Sequence, residues 1–241
     1  MSDAAVELFT VHEGKVPPPT VSVVIPTLNE AGNIGYVLDR IPGWIEEVIV
    51  VDGRSTDGTP EVARRHRPDV RIVHQDGRGK GNALNCGFAA ATGDIIVMLD
   101  ADGSTDPAEI PRFIAALRTG ADFAKGTRFV TGGGSTDISK TRMFGNRALN
   151  ALVNTLWGSR YTDLCYGYNA FWRRHLHRLA VDAPGFEVET LLNIKAIKAN
   201  LRVVEVPSFE SDRITGASNL HAARDGLRVL RTIVAEKVRP H

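Results

Sequence analysis

Two unbroken apolar runs, Val48-Ile49-Val50-Val51 and Ile95-Ile96-Val97-Met98-Leu99, each followed by an aspartate, constrain the fold of this chain more than any other feature. Runs rich in β-branched residues, with no polar alternation, have two faces to bury, as strands do in a parallel sheet covered by helices on both sides. In open sheets of that kind, ligands gather beyond the carboxyl ends of the strands. Asp52 and Asp100 therefore fall on the edge where a ligand is expected.

The intervening segments supply the helices. Val21 to Ile25 reads as a strand stopped by Pro26, and Ile34, Val37, Leu38 and Ile41 give helical spacing over 30 to 41. Strand 47 to 51, helix 59 to 66, strand 70 to 74, helix 80 to 91, strand 95 to 99 and helix 107 to 118 follow. This alternation with short connections predicts right-handed βαβ units, hence an α/β domain built on a mostly parallel twisted sheet with helices on both faces. The second half is less regular: a strand near 122 to 126, a helix over 140 to 157, a run near 167 to 172, a helix over 187 to 198 and a strand over 202 to 206. Its glycine-rich segment, Thr131 to Ser135, reads either as a lid beside a cleft or as a solvated connector.

A length of 241 residues with 43% hydrophobic content suits one substantial core. The expected organisation is a leader over 1–19 ending in three prolines, a domain over 20–218, and a basic amphipathic helix over 219–241. In that last segment Leu220, Ala223, Leu227, Leu230 and Val234 share a helical face, while Arg224, Arg228, Arg231, Lys237 and Arg239 occupy other positions. Such a helix packs on the domain, or it meets an anionic membrane surface.

Several function classes drop out. A net charge of +1 offers no bulk attraction to nucleic acid, and no apolar run approaches the roughly 20 residues that cross a bilayer. Cys86 and Cys165 form neither a disulfide framework nor a zinc spacing, which points to a reducing, cytoplasmic setting, with the inner membrane face as a peripheral location. The phosphate-loop and dinucleotide fingerprints are missing, so an ATPase or dehydrogenase is not expected. A receiver-like domain lacks its downstream Thr and Lys arrangement.

Candidate chemistry centres on Asp100-Ala101-Asp102. Two carboxylates one residue apart at a strand end invite a hard divalent cation able to hold a diphosphate. Taken alone, the triplet equally fits a loop start, where an Asp such as Asp106 caps the next helix. The stretch Asp76 to Asn85 alternates glycine with Arg78 and Lys80 ahead of a helix, so bare amides and two cations would meet an anion there. Arg142, Asn146 and Asn150 line one helical face, either as part of a site or as its wet side. Arg213 to Ser218 is either a phosphate-binding turn or a surface turn.

Together these pieces resemble the family 2 glycosyltransferases of the GT-A fold, most closely the branch typified by dolichyl- or polyprenyl-phosphate mannosyl- and glucosyltransferases. The likeness spans about residues 20 to 218. Its carriers are Val21 to Glu30, Val51 to Thr59, Gly79-Lys80-Gly81, Leu99 to Asp102, Gly126-Thr127-Arg128 and the Arg213 turn.

The resemblance implies that Pro26, Thr27 and Glu30 lie against the nucleoside and that Asp52 accepts hydrogen bonds from the base. Asn29, Ser55, Asp57 and Lys80 fall on the same nucleotide-sugar side. Asp100 and Asp102 would surround Mg²⁺ or Mn²⁺ on the donor diphosphate, with Ser104 where the branch often has a Gln metal ligand. Arg128 and Arg142 would clasp the acceptor phosphate, and Arg213 would reach phosphate from the late loop.

The chain departs from the branch at Ser104, Asn146, Cys165 and Asn219. The transmembrane pair of many relatives is not expected, so a lipid acceptor would have to be met from the membrane surface. The expected reaction is an inverting transfer of a hexose from GDP-mannose or a UDP-hexose to a polyprenyl phosphate, whose oxygen needs no general base. A hydroxyl of a small-molecule acceptor would need one, with Glu187 or Glu189 as candidates, although both also read as acids stabilising a helix N-terminus. A nucleotide-sugar binder without turnover is the third reading.

Overall fold

The computed structural model describes residues 17–179, 183, 185–216 and 222–239. Residues 1–16 of the expected leader, Ala217 and Ser218 at the end of the expected domain and of the Arg213 turn, and Asn219 and Leu220 at the start of the last segment lie outside the described residues. The first half runs β1 (Val21–Thr27), α1 (Ile34–Leu38), β2 (Glu47–Asp52), α2 (Thr59–His66), β3 (Arg71–His74), α3 (Lys80–Ala90), β4 (Ile95–Met98) and α4 (Ile110–Arg118). The second half adds β5 (Phe123–Thr127), β6 (Gly134–Ser135), α5 (Lys140–Trp157), β7 (Asn169–Trp172), α6 (Val188–Lys198), β8 (Val203–Pro207), β9 (Phe209–Glu210) and α7 (Ala222–Val238).

Seven strands form one sheet in the order β3-β2-β1-β4-β7-β5-β8. All neighbouring pairs are parallel except those of β7, which runs antiparallel to β4 and β5. The unbroken runs lie in its middle because both of their faces are covered. Val23, Ile25, Val48, Val50 and Val97 pack under Ile34 and Val37 of α1 and Phe113 and Ile114 of α4. The alternate residues Val24, Ile49, Val51, Ile96 and Met98 pack under Leu84 and Phe88 of α3 and Leu191 and Leu192 of α6. Full burial of each such side chain contributes roughly 1.5–3 kcal/mol, so a one-residue slip in register, exchanging the two faces, would be costly. A third cluster joins Val153 of α5, Ile194 of α6 and Val229 and Ile233 of α7.

The chain leaves β1 toward β2 and β3 on one side and returns to β4 on the other, so the order reverses between β1 and β4. A crevice opens at that point, beyond the strands' carboxyl ends.

Some expectations are corrected in detail. The helix expected over 30 to 41 is reduced to Ile34–Leu38, because Asn33 is drawn aside to hydrogen-bond Glu30 and the carbonyl of Thr215. The helix expected from 107 opens as a 3₁₀ turn over Pro107–Glu109, capped by the Asp106 carboxylate, and only then becomes α4. The Thr131 to Ser135 segment is tied down: Gly134 and Ser135 pair with β9, and a Cβ on Gly133 would come within 2.7 Å of the Thr127 carbonyl. Two-residue strands such as β6 and β9 carry no periodicity that a sequence could display.

Candidate active site

A cleft of about 440 Å³ lies at the switch point, lined among others by Pro26, Thr27, Glu30, Arg54, Gln75, Lys80, Asp100, Asp102, Phe186 and Arg213. The loop after β1 is stitched to the loop after β2 by side-chain bonds. The Asn29 amide donates to Ser55 Oγ at 2.9 Å, the Thr56 amide to Asn29 Oδ1 at 2.8 Å, and the Ala31 amide to Asp57 Oδ2 at 2.9 Å. Asn29 and Arg54 both take left-handed backbone, with φ of 56° and 68°. The Asp52 carboxylate is buried, accepts the amides of Arg54 and Ser55, and pairs with His74 at 3.3 Å. Asn29, Ser55, Asp57 and Asp52 thus shape the cleft from behind its wall, whereas Pro26, Thr27, Glu30, Lys80, Asp100 and Asp102 form the wall itself.

The two acids after β4 each carry a cation. Lys80, at the start of α3, places Nζ 2.5 Å from Asp100 Oδ1 and 2.6 Å from Glu189 Oε1. Burial alone would lower the pKa of this ammonium, but two carboxylates outweigh it and raise the pKa above the usual lysine value. Burial raises the Glu189 carboxyl above the ordinary range, with Asp100 adding repulsion, and the pull of Lys80 and Lys125 does not outweigh it. Gly167 lies against this triad; a Cβ there would come within 2.9 Å of Asp100 Oδ2 and 3.1 Å of Glu189 Oε1.

Asp102 accepts the Ser104 amide at 3.0 Å and pairs with Arg213 Nη1 at 3.3 Å. The Arg213 fork also grips Glu30, and its turn is pinned by the Ile214 amide donating to the Asp102 carbonyl and by Thr215 donating to Asn33 Oδ1. Ser104, expected as a third metal ligand, is buried and stands outside the cleft wall, where its amide holds Asp102. Two partly exposed carboxylates in the wall of a cleft suit Mg²⁺ or Mn²⁺, which take one or two carboxylates and leave the remaining positions to substrate phosphate and water.

A second cavity of about 370 Å³ lies between α5 and α7. Arg128, Ile138, Arg142, Asn146, Leu149, Cys165, Asp225 and Val229 help to line it, and it shares Phe186 with the first cleft; Glu189 stands in its wall. Arg128 is buried and largely committed: Nε and Nη2 donate to Asp163 at 2.7 and 2.9 Å, and Nη1 to Glu210 at 2.9 Å. Asp163 also accepts from Asn146, whose own Oδ1 accepts the Cys165 amide, so this network fixes the cavity floor. Arg142 is different. It is partly exposed on the wall and pairs with Asp137 at 2.7 Å.

Arg213 lies in the first cleft rather than with these two arginines, because its turn is anchored on Asp102 and Asn33. Of the two acids at the start of α6, Glu189 enters the cavity wall. Glu187 is buried elsewhere, with Oε1 accepting the Gly185 amide. Burial pushes the Cys165 thiol up to about 12, which leaves it a neutral packing group.

Gln75 and Phe186 were not picked out from the sequence. Gln75 directly follows β3, so the strand-end rule that singled out Asp52 and Asp100 would have found it. Phe186, shared by both cavities, has no such signal, because a single aromatic between Gly185 and Glu187 follows no strand end and no motif.

A profile described as "Glycosyl transferase family 2" matches residues 22–179. The polyprenol monophosphomannose synthase of Mycolicibacterium smegmatis is 33% identical over 217 residues, covering 85% of this chain and 82% of that protein. The undecaprenyl-phosphate mannosyltransferase of Micrococcus luteus is 31% identical over 212 residues, covering 83% and 87%. Among solved structures, the glucosyl-3-phosphoglycerate synthase of Mycobacterium tuberculosis in complex with Mn²⁺, UDP and glucosyl-3-phosphoglycerate superposes with a TM-score of 0.74 at 27% identity. That match covers 92% of this chain and 81% of the synthase.

Proposed function

The chain belongs to glycosyltransferase family 2, and from that premise we propose that it transfers a hexose from a nucleotide sugar to a polyprenyl phosphate with inversion at the anomeric carbon. The observation that carries this reading is the second cavity, which presents mostly apolar surface, has Arg142 in its wall, and meets the donor cleft at Phe186 and Lys80-bound Glu189. An acceptor seated there approaches the sugar from a side other than that of the diphosphate, the geometry an inverting displacement needs. The two mannosyl-transferring relatives are named for polyprenyl and undecaprenyl phosphates, which supports a lipid phosphate here.

On this reading Pro26, Thr27 and Gly53 flank the nucleoside, while Lys80 and the glycine-rich turn before α3 face the diphosphate. Asp100 and Asp102 would hold Mg²⁺ or Mn²⁺, which when bound neutralises charge gathering on the nucleotide leaving group. Arg213 and Lys80, already seated on those carboxylates, keep the acids from repelling the incoming diphosphate. Arg142 positions the acceptor phosphate, whose oxygen is anionic at neutral pH, so the chain supplies orientation and charge rather than a base.

A second reading rests on Glu189. Its carboxyl stands at the junction of the cavities with its pKa raised by burial, so it is suited to take a proton from a hydroxyl acceptor, as the phosphoglycerate-bound synthase structures invite.

Incubation of the purified chain with GDP-mannose, UDP-glucose or UDP-N-acetylglucosamine and Mn²⁺ separates the readings, with polyprenyl phosphate in micelles or 3-phosphoglycerate as acceptor. Transfer to the lipid is expected. Transfer to phosphoglycerate alone installs the second reading, and donor binding without transfer or hydrolysis overturns both.

A further inference from the structure

Helix α7 has two contrasting faces, and the apolar face grouped in the sequence is not the one that packs on the domain. The inner face carries Asp225, Val229, Ile233 and Glu236, which are 3%, 6%, 0% and 2% exposed. Leu227, Leu230, Val234 and Val238 recur at helical spacing on the opposite side and are 48%, 39%, 54% and 80% exposed. The acids of α7, Asp225 and Glu236, are both on the inner face, where Glu236 pairs with Lys195 and Lys198 of α6. Outside, Arg224, Arg228 and Arg231 run beside the apolar stripe, and Lys237 lies on its other flank, 5.4 Å from the Trp157 ring centre. The outer half of the helix is thus apolar and positive, with no acid among its described residues.

The helix that carries the stripe forms one wall of the second cavity with its other face. Gly226 and Val229 of α7 line that cavity from one side and Gly145 of α5 from the other, and the residue before Gly145, Phe144, is 76% exposed. No described helix is long and apolar enough to cross a membrane. A helix with a buried polar edge inside and a basic-flanked apolar stripe outside lies in the plane of an interface.

We propose that the outer face of α7, together with the exposed Phe144, docks the protein on an anionic lipid surface, with the mouth of the second cavity close to the bilayer. The charge pattern selects this occupant. A second copy stacked on the same stripe would set arginine against arginine, whereas an anionic bilayer takes the aliphatic side chains into its boundary and the cations at its headgroups. The acceptor reading gives this surface a purpose, but the binding itself depends only on α7 and the lipid.

The test is flotation with phosphatidylcholine vesicles, with and without phosphatidylglycerol and free of any polyprenyl lipid. The wild-type chain is expected to float with the anionic vesicles and to be released by high salt. Leu227→Glu with Val234→Glu should weaken binding at least about tenfold, with an unchanged melting temperature and an unchanged thermal shift on adding UDP and Mn²⁺. Arg224→Gln with Arg231→Gln should weaken it about tenfold or more and remove the preference for phosphatidylglycerol.

Failure of the wild-type chain to float overturns the proposal. So does a wild-type dimer in light scattering that the glutamate pair converts to monomer while vesicle binding is unaffected. If lipid phosphate proves not to be the acceptor, flotation persists, so the two readings fail separately.

Discussion

The donor cleft and the second cavity use cations in opposite ways. In the cleft, Lys80 and Arg213 sit on carboxylates that remain 29% and 22% exposed, so on the proposed reading these pairs would give way to a metal and a diphosphate without disturbing the core. Beneath the second cavity Arg128 is 3% exposed against an Asp163 that is fully buried, with Glu210 on its other edge. Cations in reach of solvent are available for binding, whereas the buried one is part of the frame. An arginine that reads as a phosphate ligand from its motif can therefore be a scaffold, and only burial tells the two apart.

The largest effect should come from the acids of the exchangeable region. On the proposed reading Asp102→Asn removes one of two hard ligands, and Arg213 loses the same partner. Transfer is expected to fall about 1000-fold, close to 4 kcal/mol of activation free energy. The Mn²⁺-dependent part of the thermal shift with UDP should vanish, while the melting temperature without ligand stays within a few degrees. An equal loss of stability would mean that the cleft is as rigidly built as the cavity floor, and the contrast would be broken.

Arg128→Ala should do the reverse. It leaves Asp163 and Glu210 buried without their cation, a change that costs about 3–5 kcal/mol. The pH dependence carries a signature. Burial alone would raise the Asp163 carboxyl, but the hydrogen bonds and charge of Arg128 outweigh it and hold it below the ordinary range. The stability it contributes is present above the ordinary carboxylate value of about 4 and is lost as pH falls through the lower folded value. With the guanidinium gone, only Lys125, Asn146 and the amide of residue 128 still oppose burial, so the Asp163 carboxyl moves up from its wild-type position and acidification should narrow the gap between variant and wild type. Denaturant midpoints from pH 7 to pH 3 decide it; a gap that widens in acid refutes the scaffold role.

Arg142→Ala sharpens the contrast from within the same cavity. Its pair with Asp137 is partly exposed, so stability should move by no more than about 0.5 kcal/mol. Loss of a charge-assisted bond to the acceptor phosphate should lower kcat/KM for the lipid about 10- to 100-fold, with the donor's effect on melting unchanged. Normal turnover by this variant would remove Arg142 from the site.

The same contrast explains what the sequence could and could not disclose. The cleft is made from the ends of parallel strands, and Val48 to Val51 and Ile95 to Leu99 announce those strands by being apolar on both faces. Asp52, Asp100 and Asp102 could be placed at the sheet edge without any coordinates. Whether each side chain faces the cleft or turns back into the loop depends on bonds such as Asp52 to the Arg54 and Ser55 amides, which no spacing reports.

The second cavity comes from helix faces whose partners are distant in sequence. Arg128 meets Glu210 82 residues on, so its commitment to buried acids has no sign in the sequence. On α7 the repeating pattern shows an amphipathic helix but not its direction, because a stripe of Leu and Val looks the same whether it faces a core or solvent.

The smallest expected effect falls at the boundary between the regions. Glu189 touches Lys80 at 2.6 Å on the cleft side and stands in the cavity wall on the other. Glu189→Gln keeps an oxygen that can accept from Lys80 and removes only the negative charge. If the acceptor is a phosphate oxygen, no proton has to leave during transfer, and Lys80 still has Asp100 at 2.5 Å. The variant should then stay within about tenfold of wild type, and kcat/KM should show no acid limb that the substitution removes. If a hydroxyl is the acceptor, the same change costs about 100- to 10,000-fold, and the wild-type rate climbs with pH through the raised pKa of Glu189. The substitution thus reads out the chemical class of the acceptor from the enzyme side, because a carboxylate between two cavities matters to the rate only when the group entering from the second one still carries its proton.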